Sequence, residues 1–136
     1  MQRLIYSKGD DQDEKKLEAA VHQVIPESKI ELFKRLDDLR ERLRRPVEPD
    51  SIAVLSALNR EELQQMQLLR RLLIEIYVVL VIPDRTKSTI ELAHLLLPRF
   101  ISCVYSDFTD LKIVLNKMYM NSQHAQFADG ELFRES

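Results

Sequence analysis

The clearest strand signal in the chain is the stretch Ile76-Tyr-Val-Val-Leu-Val-Ile82, which carries no charge and is rich in β-branched residues. Pro83 follows it directly and cannot continue a central strand. A second stretch, Ser51-Ile-Ala-Val-Leu55, is apolar at positions that face both sides of a sheet. This pattern is typical of parallel sheets that are covered by helices on both faces. The two stretches therefore predict a buried parallel sheet.

Weaker strand signals flank this pair at residues 3–7, 29–33 and 100–105. Each of the five strands is followed by apolar residues at helical spacing, as Leu17, Val21 and Val24 are after the first. Five repeats of strand and helix predict an α/β fold, a three-layer sandwich with a five-stranded parallel sheet. The 136 residues suffice for one such domain. We place it at residues 1–120 and expect a C-terminal tail, flexible in part, over residues 121–136.

Helix ends are predicted from capping residues and prolines. Asn59 and Ser88 are the expected N-caps of the third and fourth helices, because short polar side chains accept hydrogen bonds from the first free backbone N–H groups. The fourth helix is expected to run to Leu97, where Pro98 stops it.

Composition excludes several classes of function. Twenty basic and 22 acidic residues nearly balance, which disfavours a nucleic-acid binder. Only two glycines are present, so a glycine-rich phosphate-binding loop is excluded, and a single cysteine, Cys103, excludes an intramolecular disulfide. No apolar run approaches the roughly 20 residues of a membrane span, and the first residues lack a signal-peptide pattern. We expect a cytoplasmic protein that contacts neither membrane nor nucleic acid.

Chemistry in open parallel sheets belongs at the carboxyl ends of the strands. The polar residues at that edge are Ser7, Lys8, Asp10 and Asp11 after the first strand, Ser56 after the third, Asp84 after the fourth, and Ser106 and Asp107 after the fifth. Of these, Asp10, Asp11, Ser56 and Asp84 are the candidates for metal binding or phosphoryl chemistry in this chain.

Over residues 2–120, element order, element lengths and hydrophobic phase resemble the receiver domain of bacterial response regulators, a flavodoxin-like phosphoacceptor module of two-component signalling. The stretch Ile52-Ala-Val-Leu-Ser56 is similar to the family's third strand and acceptor position. Asp107-Phe-Thr-Asp-Leu111 is similar to the start of its last helix. The resemblance implies a flavodoxin-like sandwich of five strand–helix units and a role in signal transduction.

The chain departs from the receiver pattern at each catalytic position. Ser56 stands where the family has its acceptor aspartate, and Asp10 and Asp11 lie a few residues later than the family's Mg²⁺-binding acids. Val104 or Tyr105 occupies the place of the family's lysine. Acyl-phosphate chemistry needs acceptor, metal and lysine together. We therefore predict a pseudo-receiver that is not phosphorylated on aspartate, has no enzymatic activity and needs no cofactor.

The fourth predicted helix holds more apolar residues than a sheet-facing stripe requires. Exposed apolar surface on a small protein marks a contact site, and the resemblance implies that this helix, the fifth strand and the fifth helix form a docking or dimerisation face. A helix buried more deeply than usual explains the same residues equally well. The predicted interaction face consists of Ile90, Leu92, Leu95, Leu96 and Tyr105. Its expected partner is a protein: a histidine kinase, an effector or a second copy of the chain in a homodimer.

Two alternatives remain open on sequence grounds. In the first, Asp10, Asp11 and Asp84 gather Mg²⁺ around an atypical acceptor, and the domain is still phosphorylated. In the second, the chain is a small flavodoxin-like domain that binds a ligand at the same edge of the sheet. The scarcity of glycine disfavours a phosphate-bearing cofactor there, because close approach of the backbone usually needs glycine.

Overall fold

A computed structural model of the chain describes residues 3–8, 12–26, 29–48, 51–104 and 106–127, and of residues 13 and 121–127 only the backbone. The strands formed by these residues are β1 Arg3–Ser7, β2 Glu31–Phe33, β3 Ile52–Ser56, β4 Tyr77–Ile82 and β5 Phe100–Cys103. The α-helices that alternate with them are α1 Gln12–Val24, α2 Leu36–Arg44, α3 Arg60–Met66, α4 Lys87–His94 and α5 Thr109–Phe127. A 3₁₀ helix, Gln67–Leu73, continues α3.

The strands form one parallel sheet in the order β2-β1-β3-β4-β5. This confirms the predicted flavodoxin-like α/β fold. The two stretches with the strongest strand signals became β3, the central strand, and its neighbour β4. Every residue of β3 is buried, as is every residue of β4 after Tyr77, because helices cover both faces of a parallel sheet.

Two apolar layers lie on opposite faces of the sheet. Alternate residues such as Tyr6 and Leu55 pack with α2, α3 and α4. The residues between them, such as Ile5 and Val54, pack with α1 and α5. Because successive side chains of a strand point to opposite faces of the sheet, the position of a residue in its strand determines which helices its side chain packs against. Cys103 is buried with the first layer.

Helix α4 differs from its predicted bounds at both ends. Thr86, not Ser88, is its N-cap, and the Thr86 side chain accepts a hydrogen bond from the Thr89 backbone N–H. The helix ends at His94, after which the backbone hydrogen bonds join residues three apart, and Leu97 takes a left-handed conformation with φ of 54° before Pro98. Asn59 caps α3 as predicted, and its side chain accepts a hydrogen bond from the Glu62 N–H.

The last helix, α5, continues to Phe127, past residue 120 where the sequence placed the end of the domain. Residues 128–136, the remainder of the predicted tail, lie outside the described residues. Within the described part of the chain, none of the helices has both the length and the apolarity needed to cross a bilayer.

Candidate functional site

The carboxyl ends of β1 and β3 meet where the strand order reverses, with β2 on one side of β1 and β3 on the other. In open α/β sheets this crevice is the usual place for a ligand. Ser7 ends β1, Ser56 ends β3, and the two residues are register partners. The candidate Ser56 therefore lies at the position that the fold favours for function.

A buried glutamate joins the two serines. Ser7 Oγ donates a 2.6 Å hydrogen bond to Glu14 Oε2, and Ser56 Oγ donates a 3.2 Å hydrogen bond to Glu14 Oε1. Both serines lie on the α1 face of the sheet because they continue the alternation of Ile5 and Val54. Glu14 is 2% exposed, Ser7 0% and Ser56 1%. We call these three residues the serine–glutamate network, and it is closed to solvent.

A second buried carboxylate lies on the opposite face of the sheet. Tyr6 Oη donates a 2.7 Å hydrogen bond to Glu62 Oε2, and the Leu58 N–H donates a 2.8 Å hydrogen bond to Glu62 Oε1. Burial, followed by the hydrogen bond to Glu62, raises the pKa of Tyr6 above its usual range. The position of Glu62 in the first turn of α3 does not by itself predict this contact. The presence of a tyrosine within a buried strand was the sequence feature that could have indicated a buried partner, because a buried hydroxyl needs a hydrogen bond.

A cavity of about 230 Å³ opens beside Tyr6 at the same edge. We call it the edge cavity. Its lining residues are Tyr6, Lys8, Arg35, Leu36, Asp37, Glu62 and Gln65. The cavity lies on the α2–α3 side of the sheet, whereas the serine–glutamate network lies on the α1 side. Space for a small molecule therefore lies beside Tyr6, on the opposite face of the sheet from Ser56.

The predicted metal ligands do not form a described cluster. Asp10 and Asp11 lie outside the described residues. Asp84 Oδ1 accepts hydrogen bonds from Thr86 Oγ1 at 2.7 Å and the Thr86 N–H at 3.0 Å, which hold the pKa of Asp84 below its usual range. Among the residues that the structure describes, no three His, Cys, Asp or Glu side chains form a group suited to a metal ion.

The predicted interaction face divides into exposed and buried residues. Leu95 is 47% exposed, and Ile90 and Leu92 pack partly against the core. Leu96 differs from the prediction, because it is 3% exposed and belongs to the core. Tyr105 lies outside the described residues. Leu97, which the sequence did not assign to the face, is 70% exposed.

Replacing Tyr6 with phenylalanine tests the Tyr6–Glu62 contact. At neutral pH we expect a loss of about 1–3 kcal/mol, because Glu62 Oε2 loses a buried donor. The raised pKa of Tyr6 means that its stabilising effect is complete below the unfolded-state value of about pH 10 and is lost as the pH rises above it. Urea titrations at increasing pH measure this. Wild type should lose stability on alkalinisation more steeply than Tyr6→Phe, with Tyr119→Phe as the control, and parallel slopes would contradict the assignment.

No family model, curated protein or solved structure matches the chain. The resemblance to receiver domains therefore stands on element order and on the quoted residues alone. The side chains at the sheet edge and on α4 are the other indications of function in this chain.

Proposed function

We propose that the chain is a receiver-like domain that acts in signal transduction by protein–protein contact, without turnover and without phosphorylation on aspartate. The proposal rests on the burial of Ser56 and on the hydrogen bond that its hydroxyl donates. The residue in the acceptor position is buried, and its hydroxyl donates to Glu14. A phosphodonor in solution has no described route to that oxygen.

The chemistry of the network also favours a structural role. A serine attacks a phosphoryl group only when a base removes its proton, and Glu14 Oε1 is the nearest acceptor. Glu14 Oε2, however, already accepts the shorter bond from Ser7. The carboxylate therefore joins α1 to the ends of β1 and β3. Buried polar groups that satisfy one another in this way fix one arrangement of a core.

Partner contact is assigned to the surface of α4. Leu95 and Leu97 are large apolar side chains with about half or more of their area exposed. A hollow of about 390 Å³ beside α4 and β5 is lined in part by Ile90, Phe100 and Ile101. Covering such a surface removes apolar area from water, which favours association. A second copy of the chain is the first partner to test, as the receiver resemblance implies.

Titration with Mg²⁺ and then with beryllofluoride, a mimic of an acyl phosphate, tests the absence of phosphorylation chemistry. We expect no saturable changes in the amide NMR signals of Asp10, Asp11, Ser56 and Asp84, because the acceptor position offers a covered hydroxyl instead of a carboxylate. Saturable shifts that spread from these residues to α4 would establish the phosphorylatable alternative. The Asp84→Asn variant is the control. It removes the carboxylate of Asp84, which is the one predicted metal ligand that the structure describes, and it introduces no new charge.

A further inference from the structure

Two adjoining hollows form one groove between α2 and α3. The edge cavity shares Leu36, Asp37 and Gln65 with a second cavity of about 290 Å³. The second cavity continues past Arg40 to Leu68 and Leu69 on the 3₁₀ helix. We call the combined space the α2–α3 groove. It begins at the carboxyl end of β1, where sheets of this topology bind ligands.

The polar end of the groove is lined by charged side chains of both signs. Glu62 already accepts hydrogen bonds from Tyr6 and from the Leu58 backbone, and Asp37 forms a 2.8 Å ion pair with Arg40. The charge of Asp37 is thus balanced by Arg40, whereas the neutral donors to Glu62 satisfy its oxygens and leave its negative charge in place.

Lys8 and Arg35 line the same space. Within the described part of the chain, neither side chain forms a hydrogen bond or an ion pair with another residue. Over the whole groove, Lys8, Arg35 and Arg40 carry three positive charges against the two negative charges of Asp37 and Glu62, so the lining has one positive charge in excess, and this favours an anionic group.

The other end of the groove is apolar. Leu69 is buried in the core, and Leu36 is half-buried against it. Leu68 is 73% exposed, the largest exposure among the large apolar side chains of the described residues. An apolar body that lies along Leu36 and Leu68 would remove this surface from water.

We infer that the α2–α3 groove binds a small organic carboxylate with an apolar body. The carboxylate lies between Lys8 and Arg35, and the apolar body extends toward Leu68. Each cavity, of about 230 and 290 Å³, is smaller than the usual ligand site of roughly 300–1,000 Å³, so the ligand is expected to span both cavities. This site goes beyond the proposed function, because it lies on α2 and α3 and not on the surface of α4.

An NMR titration with octanoate below its micelle concentration tests the inference. We expect saturable shifts at the amides of Lys8, Arg35, Gln65 and Leu68. Octylammonium has the same chain and the opposite charge, so it should leave these amides unshifted. Acetate, which keeps only the head group, should bind at least about tenfold more weakly than octanoate because it loses the apolar contact.

Charge-removing variants identify the head-group site. Lys8→Gln and Arg35→Gln should each weaken octanoate binding about tenfold, because each removes a charge-assisted hydrogen bond. Lys87→Gln, an exposed position at the start of α4, is the matched control and should bind octanoate as wild type does.

Three results would overturn the inference: equal binding of octanoate and octylammonium, unchanged affinity in both groove variants, or octanoate shifts confined to Leu95 and Leu97. None of them bears on self-association through α4, which is measured separately as molar mass.

Discussion

Replacing Leu96 with aspartate is expected to unfold most of the protein, whereas the same replacement at Leu95 should leave it folded. Leu96 is 3% exposed and packs in the layer that contains Ala93 and Leu80. Loss of a buried leucine costs about 2–5 kcal/mol, and an unpaired carboxylate in the same place adds to that cost. Domains of this kind have roughly 5–15 kcal/mol of stability in all. Circular dichroism during urea unfolding measures the difference between the two variants.

Leu95→Asp is both the control for folding and the test of the α4 surface. Leu95 is 47% exposed, so a charge there should change stability by less than about 0.5 kcal/mol. It should also convert a self-associated wild type into monomers in light scattering, because the charge would have to be desolvated in the contact. Native stability of Leu96→Asp would mean that α4 presents another face to the sheet. The same mass for wild type and Leu95→Asp would exclude self-association through Leu95.

The neighbouring leucines at the end of α4 show a structural detail that the sequence alone does not predict, namely which of them is buried. A run from Leu95 to Leu97 carries no internal marker of which residue faces the sheet. The helix gives way to tighter turns after His94, and Leu97 is left-handed, so the predicted helix through Leu97 was too long. The assignment of Leu96 to the surface was also wrong, because Leu96 follows the buried Thr89 and Ala93 at helical spacing.

The sheet itself was predictable because its signals are local. Uncharged stretches rich in β-branched residues mark β3 and β4, and the alternation of strand and helix predicts that the strands run parallel. The partners of Ser56 were not predictable in this way. Glu14 lies in the charged stretch Gln12-Asp-Glu-Lys-Lys16, which has the composition of an exposed helix face. Its burial follows from the contact between α1 and the ends of β1 and β3, which the chain makes only once folded.

Aspartate at residue 56 would supply the acceptor that the receiver resemblance implies, yet we expect Ser56→Asp to destabilise the domain by about 3 kcal/mol or more at neutral pH. The new carboxylate would lie beside Glu14, which is 2% exposed, and Ser7 can donate to only one of the two groups. Because close buried carboxylates cannot both ionise cheaply, the loss of stability should grow as the pH rises and shrink as one of the pair becomes protonated. Urea unfolding at several pH values measures this dependence.

Ser56→Asn separates charge from size, since the side chains have the same shape and only aspartate ionises. Its stability relative to wild type should vary little with pH. Adding Glu14→Gln to Ser56→Asp should recover much of the loss, because one buried charge is then left instead of two, and the double-mutant cycle gives the coupling between the residues. If Ser56→Asp were instead as stable as wild type and accepted a phosphoryl group from acetyl phosphate, the acceptor position would be open. The protein would then be a receiver inactivated by a single residue, and its function would have to be sought at the sheet edge.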